Sequence, residues 1–467
     1  MWTIIRKELL DSITGLRFLF AMVFVVGLMG IGGYISSAKY AKEMEDCRNL
    51  EIRNMELIPE LSNNLRRLGG GVTYDPLTGL EKHLTAVRPP SRLQFIAEGR
   101  ESKLPNTATI SREAVGTPQI YSRSNFLFGK FGYVDWLFLF GVVVSLLAVV
   151  FTYDAFSGER ERGTLSLTLS NSLPRHTILL GKFAGAMLAL CIPLFIGIVL
   201  NMLVVSFNPM FAFGSGDTVR ICLIVCVSVM YISVFAFMGL FVSSRCSRSV
   251  TSLVILLVVW VISTVIIPQT GGMLARMLKP IQSQKEIDLL VDTAWDETLA
   301  EYRWQYGEDV GSFFGDPERD KWTILAQKTA RERQEKIRRD YHRSKAAQAV
   351  YALNASRISP SAVFNKIGET LAGSGLGRYA RWITLVDEYH EQFKRFVEGE
   401  ESKAASDGRA DISGMAVNPE TVPVFLMRPE PVAKALADSF FDLLLLFLFD
   451  AVLFTLAYVS ILRADVR

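Results

Sequence analysis

The chain is 467 residues long, half of them hydrophobic, with 50 Lys and Arg against 47 Asp and Glu. A mean hydropathy of +0.27 beside 21% charged residues excludes an ordinary soluble globule, because both hold only where apolar and charged residues are segregated along the chain. A net charge of +3 with no isolated basic domain gives nucleic acid no footing, and five cysteines without a Cys-x-x-Cys pair support neither a disulfide framework nor a zinc site. Cys191, Cys222, Cys226 and Cys246 fall in or beside apolar runs and read as small buried residues, with Cys47 apart from them.

In chain order, residues 1–15 set Arg6, Lys7, Glu8 and Asp11 beside Trp2, Ile4, Ile5, Leu9 and Leu10, which predicts an amphipathic helix lying in the membrane interface. Six apolar segments then reach the length of a spanning helix: 16–35, 135–151, 178–205, 219–242, 250–268 and 440–462. Lipid offers no partner to a free backbone amide, so these read as helices. Ser36-Ser37-Ala38 is a plausible signal-peptidase site, but the long apolar core and the acidic residues before it favour an uncleaved anchor. Arg6, Lys7 and Arg17 precede the first span. Arg160, Arg162, Arg175 and Lys182 lie between the second and third, Arg245 and Arg248 between the fourth and fifth, and Arg463 and Arg467 after the sixth. The opposite short loop, Asn208 to Asp217, has no basic residue, so both termini are expected in the cytoplasm.

Two insertions would then lie outside, at 36–133 and 269–437. The first carries loop signals at Gly69-Gly70-Gly71, Asp75-Pro76 and Pro89-Pro90; the second is helical in pattern, with a charged run between Pro317 and Tyr351 and another helix over Tyr379 to Glu398. Breaks at Ser359-Pro360 and Gly373–Gly377 separate those two. The fold class is accordingly an all-α polytopic membrane protein with six transmembrane helices, cytoplasmic N- and C-termini, and one α-rich extracytoplasmic domain formed from the two insertions.

Catalytic constellations are sparse. His83, His176, His342 and His390 make no His-x-x-x-His set, and no Gly-x-Ser-x-Gly elbow is present. Gly158 to Thr164 has the glycine spacing of a phosphate loop but no Lys after the second Gly, and no strand precedes it, so nucleotide binding by this chain is rejected. Trp304, Tyr306, Phe313, Phe314, Trp322 and Trp382 would line an apolar groove if they converge; aromatics at such spacing more often form a domain core. Asp450 stands within the last span, where a carboxylate faces protein or water and either bonds a neighbouring span or serves transport. Pro193 would kink the third span, and Gly181-x-x-x-Gly185-x-x-x-Ala189 at its head allows close helix packing.

The loop at 152–177 is the most informative stretch. Its charges alternate at Glu159, Arg160, Glu161 and Arg162 between Gly158 and Gly163, and such a turn is either a plain solvated loop or a contact for a partner. Asp154-x-x-Ser157-Gly158-Glu159-x-Glu161-x-Gly163-Thr164-Leu165, followed by Pro174-Arg175 and Gly181-Lys182, resembles the cytoplasmic loop of ABC-2-type exporter permeases, in a subgroup with large extracytoplasmic insertions. The stretch from Ser359 to Phe364, Leu371-Ala372-Gly373, Tyr389-His390 and Phe393 resembles the same subgroup. The resemblance implies that Asp154, Ser157, Gly158, Glu159, Arg160, Glu161, Arg162, Gly163, Thr164 and Leu165 couple the chain to a separate dimeric ATPase subunit. It further implies ATP and magnesium bound on that partner rather than on this chain, a second permease copy or a related permease beside it, membrane lipid around it and a bacterial inner-membrane location. Two other classes stay open: a mechanical transmitter that moves its outer domain without transport, and a membrane-anchored sensor or enzyme with an extracytoplasmic site.

Overall fold

The computed structural model describes residues 2–68, 73–74, 81–82, 84–98, 104–110, 115–116, 118–121, 134–165, 174–211, 213–312, 317–406 and 419–463. Gly69-Gly70-Gly71, Asp75-Pro76, His83, Phe313, Phe314 and Arg467 lie outside these residues. Six described helices are long and apolar enough to cross a membrane.

A short helix, α1 (Trp2–Ile13), precedes α2 (Leu16–Leu68). The first span was expected to end near residue 35, yet α2 runs on for 53 residues. The continuation from Ser36 to Leu57 is rich in Lys, Glu, Met and Leu, straight-chain residues that lose little rotamer freedom in a helix. Among the described residues four short strands follow as two antiparallel hairpins, β1 (Thr73–Tyr74) with β2 (Glu81–Lys82), and β3 (Leu84–Val87) with β4 (Thr107–Ile110). The second hairpin pairs Leu84 with Ile110 and Val87 with Thr107.

The second span, α3 (136–152), contains a π-helical stretch at Leu139–Val144. Its head is pinned by Asp135, whose Oδ1 accepts from the Phe138 amide at 2.8 Å and whose Oδ2 accepts from the Glu98 amide at 2.9 Å. The Glu98 side chain is buried against Lys39 of α2 in an ion pair, and burial pushes its carboxyl up to about 7 against the opposing pull of that ammonium. After the five-residue helix α4 (Ser157–Glu161) come α5 (Arg175–Ser206), α6 (Ser215–Arg245) and α7 (Ser249–Leu278). Then follow α8 (Gln284–Tyr306), α9 (Pro317–Ala355), α10 (Pro360–Ala372), α11 (Gly375–Ser406) and α12 (Val432–Leu462).

Contacts divide the chain into two units, Met1–Pro268 with Arg357–Arg467, and Gln269–Ser356. This differs from one outer domain shared by both insertions. In the smaller unit α8 and α9 pair along their length and bury Ile287, Val291, Ala326 and Ala330, so their apolar stripes are satisfied by each other. Close by, Gly271 lies against the Ala352 backbone, where an added Cβ would come within 2.7 Å of its carbonyl oxygen. In the larger unit, Trp382, Val386, Tyr389, Phe393 and Val397 of α11 form a helical stripe that packs on Leu57, Leu84, Ala86, Ala108 and Ile110. Part of each insertion therefore does share a core, and that core contains a β-hairpin.

α10 sits among the spans rather than outside them. Ser359 caps it by accepting from the Ser361 and Ala362 amides, Pro360 occupies its first turn, and Gly373 at φ +63° ends it. Its Val363, Phe364, Ile367 and Leu371 belong to the cluster that holds Val144, Tyr231 and Leu446, and Phe364 stacks on Tyr231 at 4.3 Å. Of the described residues expected to line an aromatic groove, Trp382 is core of the larger unit, Tyr306 and Trp322 stack on each other at 3.8 Å in the smaller, and Trp304 is 90% exposed.

Candidate functional site

One end of the larger unit gathers α1, α4, the heads of α5 and α7, and the tails of α6 and α12. α4 is the hub, and most of its side chains point into the protein. Ser157, Gly158 and Glu159 are buried. The Phe156 and Ser157 amides donate to Ser243 Oγ of α6 at 3.0 and 3.1 Å, which satisfies helix-start amides that otherwise lack partners. Arg160 reaches across and donates to the Cys246 and Ser244 carbonyls at 2.8 and 3.2 Å, closing the C-terminal end of α6. Arg175 does the same for α12, donating to Ile461 and Leu462 oxygens at 2.8 and 2.6 Å. A cation at a helix C-terminus meets both the free carbonyls and the negative end of the dipole.

Glu159 carries the buried charge. Lys182 Nζ, on a side chain only 3% exposed, lies 2.8 Å from Glu159 Oε1 and 2.9 Å from Glu8 Oε1 of α1. The ammonium also sits 5.3 Å from the Phe156 ring centroid. α1 can come this near because Gly181 and Gly185 have no side chain. A Cβ on Gly185 would stand 2.6 Å from Glu8 Cβ, and one on Gly181 2.7 Å from Ile4 Cγ2. The small-residue stripe therefore receives α1. On the other flank Asp154 Oδ2 accepts from Arg17 Nη2 at 2.9 Å, and the same guanidinium donates to the Tyr153 hydroxyl at 2.7 Å.

Of the ten residues expected to meet a partner, four form an outward rim: Glu161, Arg162, Gly163 and Thr164 are exposed. Gly163 turns the chain at φ +70°, a conformation that a Cβ disfavours. Glu161 keeps one tie inward, accepting from Ser249 Oγ of α7 at 2.7 Å. Asp154 and Arg160 are half-buried and bonded as above, and Leu165 is buried with Phe156, Ile178 and Leu240. Leu173 and the rest of 166–173 lie outside the described residues.

A model of the family described as ABC-2 family transporter protein matches residues 2–466. The chain belongs to the ABC-2 transporter family. A 55-residue stretch is 47% identical to the probable ABC transporter permease protein NosY of Stutzerimonas stutzeri, and a stretch of 55 residues is 46% identical to the protein of that name from Pseudomonas aeruginosa. Each match covers 12% of this chain and 20% of the relative. With six apolar helices and this membership, the ABC-2 chain is a multi-pass inner-membrane protein.

Two further charged places in this ABC-2 protein lie within the spans. Asp450 of α12 accepts from Ser233 Oγ of α6 at 2.8 Å to each oxygen, so the carboxylate bonds a neighbouring span. Asp442, one turn into the expected sixth span, was not singled out from sequence; it is 1% exposed and meets Arg357 Nε at 2.7 Å and Lys366 Nζ at 2.8 Å. The Glu8–Lys182–Glu159 cluster was also missed as a unit, although a lysine at the head of an apolar span is a usable signal of a buried partner.

Proposed function

We propose that this chain is the membrane subunit of an ATP-driven ABC complex that extrudes its substrate. The loop 152–177 and both termini face the cytoplasm, as the basic residues of the short loops indicate. A separate dimeric ATPase, holding ATP and magnesium itself, docks on the rim of Glu161, Arg162, Gly163 and Thr164. Two permease units, identical or related, form the pathway between them.

The observation that carries this reading is the wiring behind the rim. A push on α4 acts on α6 through Ser243 and Arg160, on α7 through Ser249, and on α5 and α1 through Lys182 and Glu8. One docking event would thus move four spans or their connectors together. The rim touches the partner, while Glu159 and Lys182 position it.

A tagged pull-down in detergent tests this, comparing wild type with the triple variant Glu161→Ala/Arg162→Ala/Thr164→Ala and assaying ATPase activity on the eluate. The expected result is an ATPase that co-purifies with wild type and is lost from the rim variant, with an unchanged gel-filtration profile for the permease. A stable wild-type chain that brings down no ATPase sinks the proposal.

A second reading is favoured by the separate packing of Gln269–Ser356. In it, ATP hydrolysis moves that helical unit as a mechanical output and no substrate crosses. Substrate-stimulated ATPase activity in vesicles separates the two, since a transmitter has no transported substrate to respond to.

A further inference from the structure

Asp442, Arg357 and Lys366 bring two cations to one carboxylate: Arg357 donates through Nε and Nη2 to its two oxygens at 2.7 and 3.2 Å, and Lys366 Nζ lies 2.8 Å from Oδ2. Their exposure is uneven: the Asp442 side chain is 1% exposed, those of Arg357 and Lys366 26% and 25%. The carboxylate is thus the floor of the cluster and the cations its outer edge. Depth follows from the helix rise. Asp442 lies twenty residues before Leu462 at the end of α12, which at 1.5 Å per residue is about 30 Å. That distance is about the thickness of the hydrocarbon core. With Leu462 and Arg463 at one boundary, Asp442 falls at the other, where lipid phosphates lie. Beside it, Phe440, Phe441 and Leu444 are exposed large apolar residues on the outer surface of α12, and the Arg357 guanidinium sits 4.9 Å from the Phe441 ring centroid.

We propose that Arg357 and Lys366, arranged around Asp442, bind the phosphate of an anionic phospholipid headgroup in the leaflet opposite the C-terminus, with an acyl chain lying along Phe440, Phe441 and Leu444. Arg and Lys are the side chains that recognise phosphate; with the Arg357 fork set on both Asp442 oxygens, Arg357 contributes its charge and Lys366 the direct contact as a point charge. An ammonium has three N–H donors, and the ion-pair partner of Lys366 among the described residues is Asp442. Net negative charge on the lipid matters because a zwitterionic headgroup brings its own cation beside the two already there.

The test is thermal unfolding of the full chain in an uncharged detergent with added phosphatidylglycerol, phosphatidylcholine or inorganic phosphate. Phosphatidylglycerol is expected to raise Tm and phosphatidylcholine to do so much less. Lys366→Gln should lose most of that shift and Lys366→Arg should keep it. Asp442→Asn, which removes the competing carboxylate, should enlarge it; where that variant does not fold, the Lys366 pair decides. The proposal is overturned by equal shifts from both lipids, or by millimolar inorganic phosphate reproducing the effect. It is overturned as well if Lys366→Gln lowers the starting Tm but retains the full phosphatidylglycerol shift, the behaviour of a purely structural brace.

Discussion

At the scale of single residues, Lys182 shows why charge in this protein is costly to disturb. It is buried between Glu8, 174 positions away, and Glu159, 23 positions away. Lys182→Met leaves two carboxylates facing each other with only the largely exposed Lys7, 4.0 Å from Glu159 Oε1, to offset them, which should cost about 3 kcal/mol. Thermal unfolding in detergent should show a large drop in Tm for this variant, while Glu161→Ala, on the exposed rim, unfolds like wild type. Glu98 supplies a pH dependence. Its folded pKa, about 7, lies above the ordinary carboxyl value, so the folded state holds the extra proton. Stability from this group is therefore full at low pH and falls as pH rises through the window up to about 7. Glu98→Gln should flatten the Tm-against-pH curve there; an unaltered slope would show that Glu98 does not set it. At Asp450 the isosteric Asn keeps an oxygen for Ser233, so Asp450→Asn should unfold near wild type; in Asp450→Leu the Ser233 hydroxyl keeps the Met230 carbonyl at 2.7 Å, so the cost should stay at about 1 kcal/mol or less.

At the scale of elements, α4 and the residues around it form a brace between helix ends. Alternating Glu and Arg look alike in sequence, but Arg160 caps α6, Glu159 pairs inward, and Glu161 with Arg162 face out. Which side each charge takes depends on where the ends of α6, α7 and α5 arrive, and no local pattern contains that. The glycine stripe of α5 is a similar case. Its close-packing role was legible in the spacing, but its partner was not, because α1 also reads as a helix suited to the membrane interface. Gly185→Val should force α1 away from α5, raising hydrogen–deuterium exchange over Trp2–Ile13 while the exchange of α5 beyond the site stays low. The boundaries of α10 were the most legible of all, since Ser359-Pro360 and Gly373 are start and stop signals with their own chemistry. That α10 packs among spans was hidden, because thirteen residues are too few to cross a bilayer and so raise no membrane signal.

At the scale of the whole molecule, Gln269–Ser356 holds its own packing. The ends of its helices are close, with Lys279 Nζ 5.7 Å from the Tyr351 ring centroid. Replacing residues 280–350 by a short Gly/Ser linker should leave a monodisperse protein by gel filtration; aggregation would show that the larger unit depends on the smaller. Sequence alone determined the six spans, the family motif and the asymmetry of basic residues, because hydrophobic length and loop charge are imposed by the bilayer on each segment separately. The tertiary structure decided which charges are buried, which helix each insertion packs on, and that Arg357, Lys366 and Asp442 meet. Those depend on contacts between distant positions, where one carboxylate chooses its cations only after the spans between them have packed.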